Sequence, residues 1–161
     1  MVSASSVTGP LSGKVASGVV PAGRSGVILF DGVCNFCNRW VSFVLDNDPD
    51  GMFAFASLQS PKGSELLQAC GRDGSDLSTF VVITEDGFET QSSAALKVGS
   101  MLKKPALNVM AAAFVNVPPF VRDRVYRVVA TNRYSILGRD DDDATPSCKL
   151  RAPEEEARFL M

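Results

Sequence analysis

Val27-Ile28-Leu29-Phe30-Asp31-Gly32-Val33-Cys34-Asn35-Phe36-Cys37-Asn38-Arg39-Trp40-Val41-Ser42-Phe43-Val44-Leu45 is the stretch that decides the fold. Its first four residues form an apolar run that suits a strand buried on both faces. Asp31-Gly32 turns the chain, and apolar side chains then recur at helical spacing. Phe36, Trp40 and Val44, with Cys37, Val41 and Leu45 beside them, share one side, while Asn35, Arg39, Ser42 and Asp46 fall on the other. A strand thus feeds a helix through a turn that carries a cysteine pair. The first turn of a helix leaves backbone N–H groups unpaired and carries partial positive charge, and both favour a thiolate. Cys34 is therefore the candidate nucleophile. Cys37, three residues on, can attack a mixed disulfide formed at Cys34 and release the partner, and burial toward the core should suppress its own reactivity.

Two other readings of the pair stay open. Zinc needs four ligands, and half a site is a bare CxxC. The chain has no histidine, and the other cysteines, Cys70 and Cys148, are isolated. Asp31 or Cys148 could join the pair around a metal, although no ligand spacing points that way. The third reading is two inert core cysteines.

Outward from this stretch the pattern continues as an α/β chain. Asn47-Asp48-Pro49-Asp50-Gly51 breaks the helix, and Met52 to Ala56 is a second apolar strand. A helical connection makes the two strands parallel with a right-handed crossover, placing the cysteines at the carboxyl end of the first. Ser60-Pro61 opens a second helix that stops near Gly71. Residues 79–84 read as a strand, Glu85-Asp86-Gly87 as a hairpin turn and residues 88–91 as an edge strand. Ser92 or Ser93 is expected to cap a third helix running to Leu102. Helices over residues 106–115 and 120–131 follow, parted by Pro118-Pro119. The last thirty residues read as mostly irregular, with an acidic loop at residues 140–143 and a short helix from Pro153. The order β-α-β-α-β-β-α is that of a thioredoxin-like core with additional C-terminal helices.

Composition sets the limits. The 161 residues are 45% hydrophobic and 21% charged, enough for one domain with a sizeable core, and the net charge of −2 gives no basis for nucleic-acid binding. Residues 105–121 form the longest apolar stretch, but Asn108, Asn116, Pro118 and Pro119 interrupt it, so no membrane insertion is expected. Residues 1–26 are rich in Ser and Gly and contain no acidic residue. They read as a disordered leader or an organellar transit peptide, burying no core, with residues 27–161 as the domain. The transit reading places the protein in a chloroplast or mitochondrion, the other in the cytoplasm.

The residues also resemble a known family. Asp31-Gly32-Val33-Cys34-Asn35-Phe36-Cys37 is similar to the D-G-x-C-x-x-C signature of the DCC family of thiol–disulfide oxidoreductases. Further landmarks are Ser92-Ser93-Ala94-Ala95-Leu96, Pro118 and Pro119 ahead of Arg122-Asp123-Arg124-Val125-Tyr126, Asn132-Arg133-Tyr134 with Leu137-Gly138-Arg139, and Cys148. Together they extend the resemblance over roughly Gly26 to Leu160. It implies a thioredoxin-like fold and dithiol redox activity; the physiological substrate does not follow from it, and the expected partner is a protein or small-molecule thiol or disulfide, with no cofactor. The alternative is a non-catalytic thioredoxin-like binding module, with structural or metal-holding cysteines and the later helices as its working surface. Thioredoxins usually place Trp before the first cysteine and Gly-Pro between the two; here Val33 and Asn35-Phe36 stand there. They also carry a cis-proline ahead of the hairpin strand, where Leu77-Ser78-Thr79 has none.

Several side chains are candidates for supporting roles. Asp31 is expected to take the Cys37 proton during resolution, or only to fix the turn. Asn35 and Phe36 are expected to tune exposure and substrate contact, with packing the other reading of Phe36, and Trp40 reads as core. Arg133 and Tyr134 could approach the dithiol or lie on the surface. Cys148 reads as a third thiol or an unreactive neighbour, and Cys70 as a buried small hydrophobe.

Overall fold

The computed structural model describes residues 12–76, 80–137 and 153–160. Two central strands, β2 (Gly26–Phe30) and β3 (Phe53–Ser57), pair in parallel with Gly26 opposite Phe53 and Phe30 opposite Ser57. Between them runs α1 (Asn35–Asn47), as the 3.6-residue periodicity requires. After β3 comes α2 (Pro61–Ala69), whose Ser60 N-cap accepts a hydrogen bond from Gly63 N, with Pro61 at its first position. The hairpin strands β4 (Val81–Thr84) and β5 (Gly87–Thr90) add antiparallel to β2. The order β5-β4-β2-β3 at the centre of the sheet is the thioredoxin-like arrangement.

Alternation along these strands divides the core between two faces. Val27, Leu29, Ala54, Ala56, Val81 and Ile83 pack with Leu66 and Leu67 of α2 on one face. On the other, Ile28, Phe30, Phe53, Phe55 and Val82 pack with Val41 and Val44 of α1 and with Ala94 and Val98 of α3 (Gln91–Met101). Both central strands are thus buried on both faces, as their unbroken apolar runs predict. Two further helices, α4 (Pro105–Val115) and α5 (Pro119–Leu137), pack against α3, and α5 also crosses α1.

Three expectations need correction. Residues 12–26 do contribute to the core: β1 (Ser12–Gly13) pairs with β5, and Val15, Val19 and Val20 pack on the α2 face. These valines follow no strand or helix period, so pattern reading passes them over. Neither Ser92 nor Ser93 caps α3. Thr90 stands at its N-cap, where its side chain makes no capping bond to the first turn, and Ser92 instead donates its hydroxyl to Asp123 of α5. The C-terminal segment also returns to the sheet, through α6 (Pro153–Glu156) and β6 (Phe159–Leu160), the latter parallel to β3. Buried Arg158 anchors it, donating from Nε to Phe53 O at 2.9 Å and from Nη2 to Asp48 Oδ2. The acidic loop at residues 140–143 lies outside the described residues.

Candidate active site

The site begins where β2 ends. Val33 N donates to Asp31 Oδ1 at 3.1 Å and Cys34 N to Asp31 O at 3.3 Å, closing the turn into α1. Cys34 is the N-cap residue, in extended conformation, and its Sγ accepts from Cys37 N at 3.4 Å. Serine or asparagine normally supplies an oxygen here; a sulfur in their place gains from negative charge, because it accepts from a first-turn helical N–H. Asn38 Nδ2 donates back to Gly32 O at 3.0 Å, locking the turn against the first helical turn.

Asp31 is buried, and its Oδ1 also accepts from Gln59 Nε2 at 2.6 Å. Gln59 Oε1 in turn accepts from Gly32 N at 2.9 Å and from Ser57 Oγ at 2.6 Å. This network explains the glycine of the motif: a Cβ on Gly32 would sit 2.7 Å from Ser57 Oγ and 3.3 Å from Gln59 Oε1. Asp31 therefore does fix the turn, and it does so while facing the dithiol's cavity.

That cavity, about 270 Å³, lies between the start of α1 and the underside of α5. Phe36, Cys37 and Trp40 come from α1, Phe80 from the entry to β4, and Tyr126, Val129 and Ala130 from α5. Phe80 N donates to the Tyr126 hydroxyl at 3.2 Å, tying α5 to the sheet over the cavity. Trp40 stacks on Phe43 at 5.5 Å between centroids and meets Phe80 edge-on at 6.1 Å.

Cys34, Cys37 and Asp31 are thus brought together at one end of the sheet, but burial falls on the cysteines in the opposite order to that expected. Cys34 is fully buried, whereas Cys37 is half-buried and lines the cavity. The reason is local: the N-cap side chain folds back over the first turn, while a residue one turn in projects sideways toward α5. Phe36 is 39% exposed at the cavity, so it is not a core packing residue, and Trp40 forms a wall of the site as well as packing on the core. The Arg133 and Tyr134 side chains, Cys148 and residues 77–79 lie outside the described residues. Cys70 is buried at the end of α2, and desolvation pushes its thiol up from 9.0 to about 11, with Arg72 acting weakly in the other direction. Among the described residues, no group of three or more Cys, Asp or Glu is arranged to hold a metal ion.

Gln59, Phe80 and Tyr126 escaped sequence reading. Gln59 had an available signal: the parallel register Phe30 to Ser57 carries the residues after β3 alongside Asp31-Gly32. Tyr126 stood among the family landmarks, but no local pattern tied it to the site, because 46 residues separate it from its partner Phe80.

A helix-terminal CxxC at the carboxyl end of the first central strand places the chain in the class of thioredoxin-like folds. Within it the chain belongs to the DCC1-like thiol-disulfide oxidoreductase family, whose model matches residues 28–139. It is 42% identical over 135 residues to YuxK of Bacillus subtilis (strain 168), described as an uncharacterized protein, covering 83% of this chain and 93% of that one. It is 41% identical over 125 residues to a chloroplastic DCC family protein of Arabidopsis thaliana, covering 77% of this chain and 69% of the relative. No solved structure matches the chain significantly. No described helix is long and apolar enough to cross a membrane.

Proposed function

We propose that this chain exchanges disulfides through Cys34 and Cys37, with Cys34 attacking, Cys37 resolving and Asp31 taking the Cys37 proton. The observation that carries the reading is the N-cap sulfur: Cys34 Sγ faces the Cys37 N–H at the positive end of a 13-residue helix. Asp31 and Cys37 line one cavity, which supports proton transfer between them. The family membership supports the reaction class, and the chloroplastic relative supports an organellar location, with the targeting segment lying ahead of β1. The substrate is a thiol or disulfide, and the working unit is the domain from residue 27 onward, braced by residues 12–25.

One observation favours a second order of attack. Cys37 is the more accessible thiol, so a substrate in the cavity meets it first. Exposing Cys34→Ser and Cys37→Ser separately to a chromogenic aromatic disulfide, and following the adduct by intact mass, separates the two. Cys37→Ser should retain a stable adduct and Cys34→Ser almost none. The reverse would make Cys37 the nucleophile. The non-catalytic module draws on exposed Val109, Met110, Phe114 and Phe120 of α4 and α5. Absence of any disulfide in the oxidised wild type, with metal released by a chelator, would favour it.

A further inference from the structure

We propose that the cavity beside Cys37 receives the apolar arm of a low-molecular-weight disulfide, so that the chain selects ring-bearing or branched hydrocarbon arms over polar ones. This rests on the dithiol reading above and adds the substrate class to it. The open walls are almost wholly hydrocarbon, with Phe36 and Trp40 on one side, Phe80 at the sheet, Val129 and Ala130 overhead, while the polar members Asp31 and Tyr126 are engaged with Val33 N, Gln59 Nε2 and Phe80 N. A polar arm entering such a space loses water without regaining its hydrogen bonds, whereas an apolar arm gains from burial. The space, about 270 Å³, is at the small end of ligand pockets, which run from about 300 Å³ upward. It suits one ring-sized arm.

Access decides between a small molecule and a folded protein. Cys34 has no exposed surface and Cys37 is half-buried beneath α5, which is held down by the Tyr126 bond to Phe80 and the Ser92 bond to Asp123. A disulfide on a flat protein surface cannot be carried to either sulfur past that helix. A slender molecule can enter beside Phe36, exposed at the cavity.

In the reaction, the attacking thiolate of the pair bonds to one ligand sulfur, the ligand S–S bond breaks and the first arm leaves as a thiolate. The second cysteine, having given up its proton, attacks the protein sulfur of this mixed disulfide and releases the other arm. The ligand gains two electrons and two protons in all, and Cys34 and Cys37 end as a disulfide.

The test measures reduction of two symmetrical alkyl disulfides, bis(2-phenylethyl) and bis(2-hydroxyethyl) disulfide, by the reduced full chain. Each rate is divided by that of dithiothreitol with the same compound, which cancels leaving-group differences. The normalised preference for the phenylethyl compound should be about tenfold or more, and Ala130→Phe, which fills the cavity, should lower it. Far-UV circular dichroism of the variant checks its fold. Equal normalised rates, or a preference that Ala130→Phe leaves intact, would overturn the proposal while the dithiol reading stands. Reduction of neither compound by a chain with titratable thiols would overturn that reading instead. A Phe-flanked cysteine peptide, offered as its disulfide and outpacing the phenylethyl compound, would transfer the cavity to polypeptide substrates.

Discussion

Two buried carboxylates sit at opposite ends of the sheet and are held in different ways. Asp48, 1% exposed, ends α1 and receives Met52 N and Phe53 N at 3.0 Å each, with the Arg158 guanidinium closing the shell. Asp31, 3% exposed, begins α1 and accepts from Val33 N and Gln59 Nε2, both neutral donors. A guanidinium partner commits Asp48 to holding two distant segments together. The donors to Asp31 Oδ1 instead hold a turn, at the cavity that Cys37 lines. The comparison teaches that burial of an acid is not itself a sign of function; the nature of its partners is.

The largest effect should come from breaking the structural end. Asp48→Ala strands the Arg158 charge in the interior and should lower unfolding free energy by about 3–5 kcal/mol, read from urea midpoints. Arg158→Met together with Asp48→Asn should cost clearly less, because no charge is then left unpaired. Equal losses in the single and double variants would show that the pair is not what holds β6 and α1 together. At the other end the balance should reverse. Asp31→Asn removes one charged acceptor yet keeps the turn, so its stability loss should be only about 1 kcal/mol. Resolution of a mixed disulfide in stopped-flow should slow by about a hundredfold, with the deficit shrinking as pH rises and bulk base deprotonates Cys37 directly. A pH-independent deficit would reduce Asp31 to a turn-fixing residue.

The same contrast explains how much the sequence reveals. Val27 to Leu45 encodes its own strand, turn and helix, because burial on both faces and helical period are local properties; Cys34, Cys37 and Asp31 were therefore legible from it. Arg158 was not, since its partner Asp48 is 110 residues away and neither carries a periodic signal. Strands β1 and β6 have two residues each, too short for any pattern, and exist because neighbouring strands offer free edges. The order of exposure in the cysteine pair also eluded the sequence. It follows from the N-cap side chain folding back over the first turn, a geometry that apolar periodicity does not carry.

Moving from the ends of the sheet to its faces gives the smallest expected effect, carried by Cys70. It packs with Val27, Leu29, Ala54 and Ala56 on the α2 face, whereas Trp40 and Phe80 at the dithiol's cavity belong to the opposite cluster. Burial raises its thiol from 9.0 to about 11. Between those values the unfolded chain loses the proton while the folded chain keeps it, so protonation stabilises the fold below pH 9 and this contribution fades as pH rises toward 11. Cys70→Ala lacks the titrating group. The gap in urea midpoint between wild type and variant should accordingly narrow as the pH is raised through that range, while disulfide exchange at neutral pH stays unchanged. A gap that stays constant would mean that Cys70 ionises in the folded chain as readily as in the unfolded one. In that case the two faces would not differ in their hold on a thiol proton, and the contrast between structural and reactive cysteine would rest on the N-cap geometry of Cys34 alone.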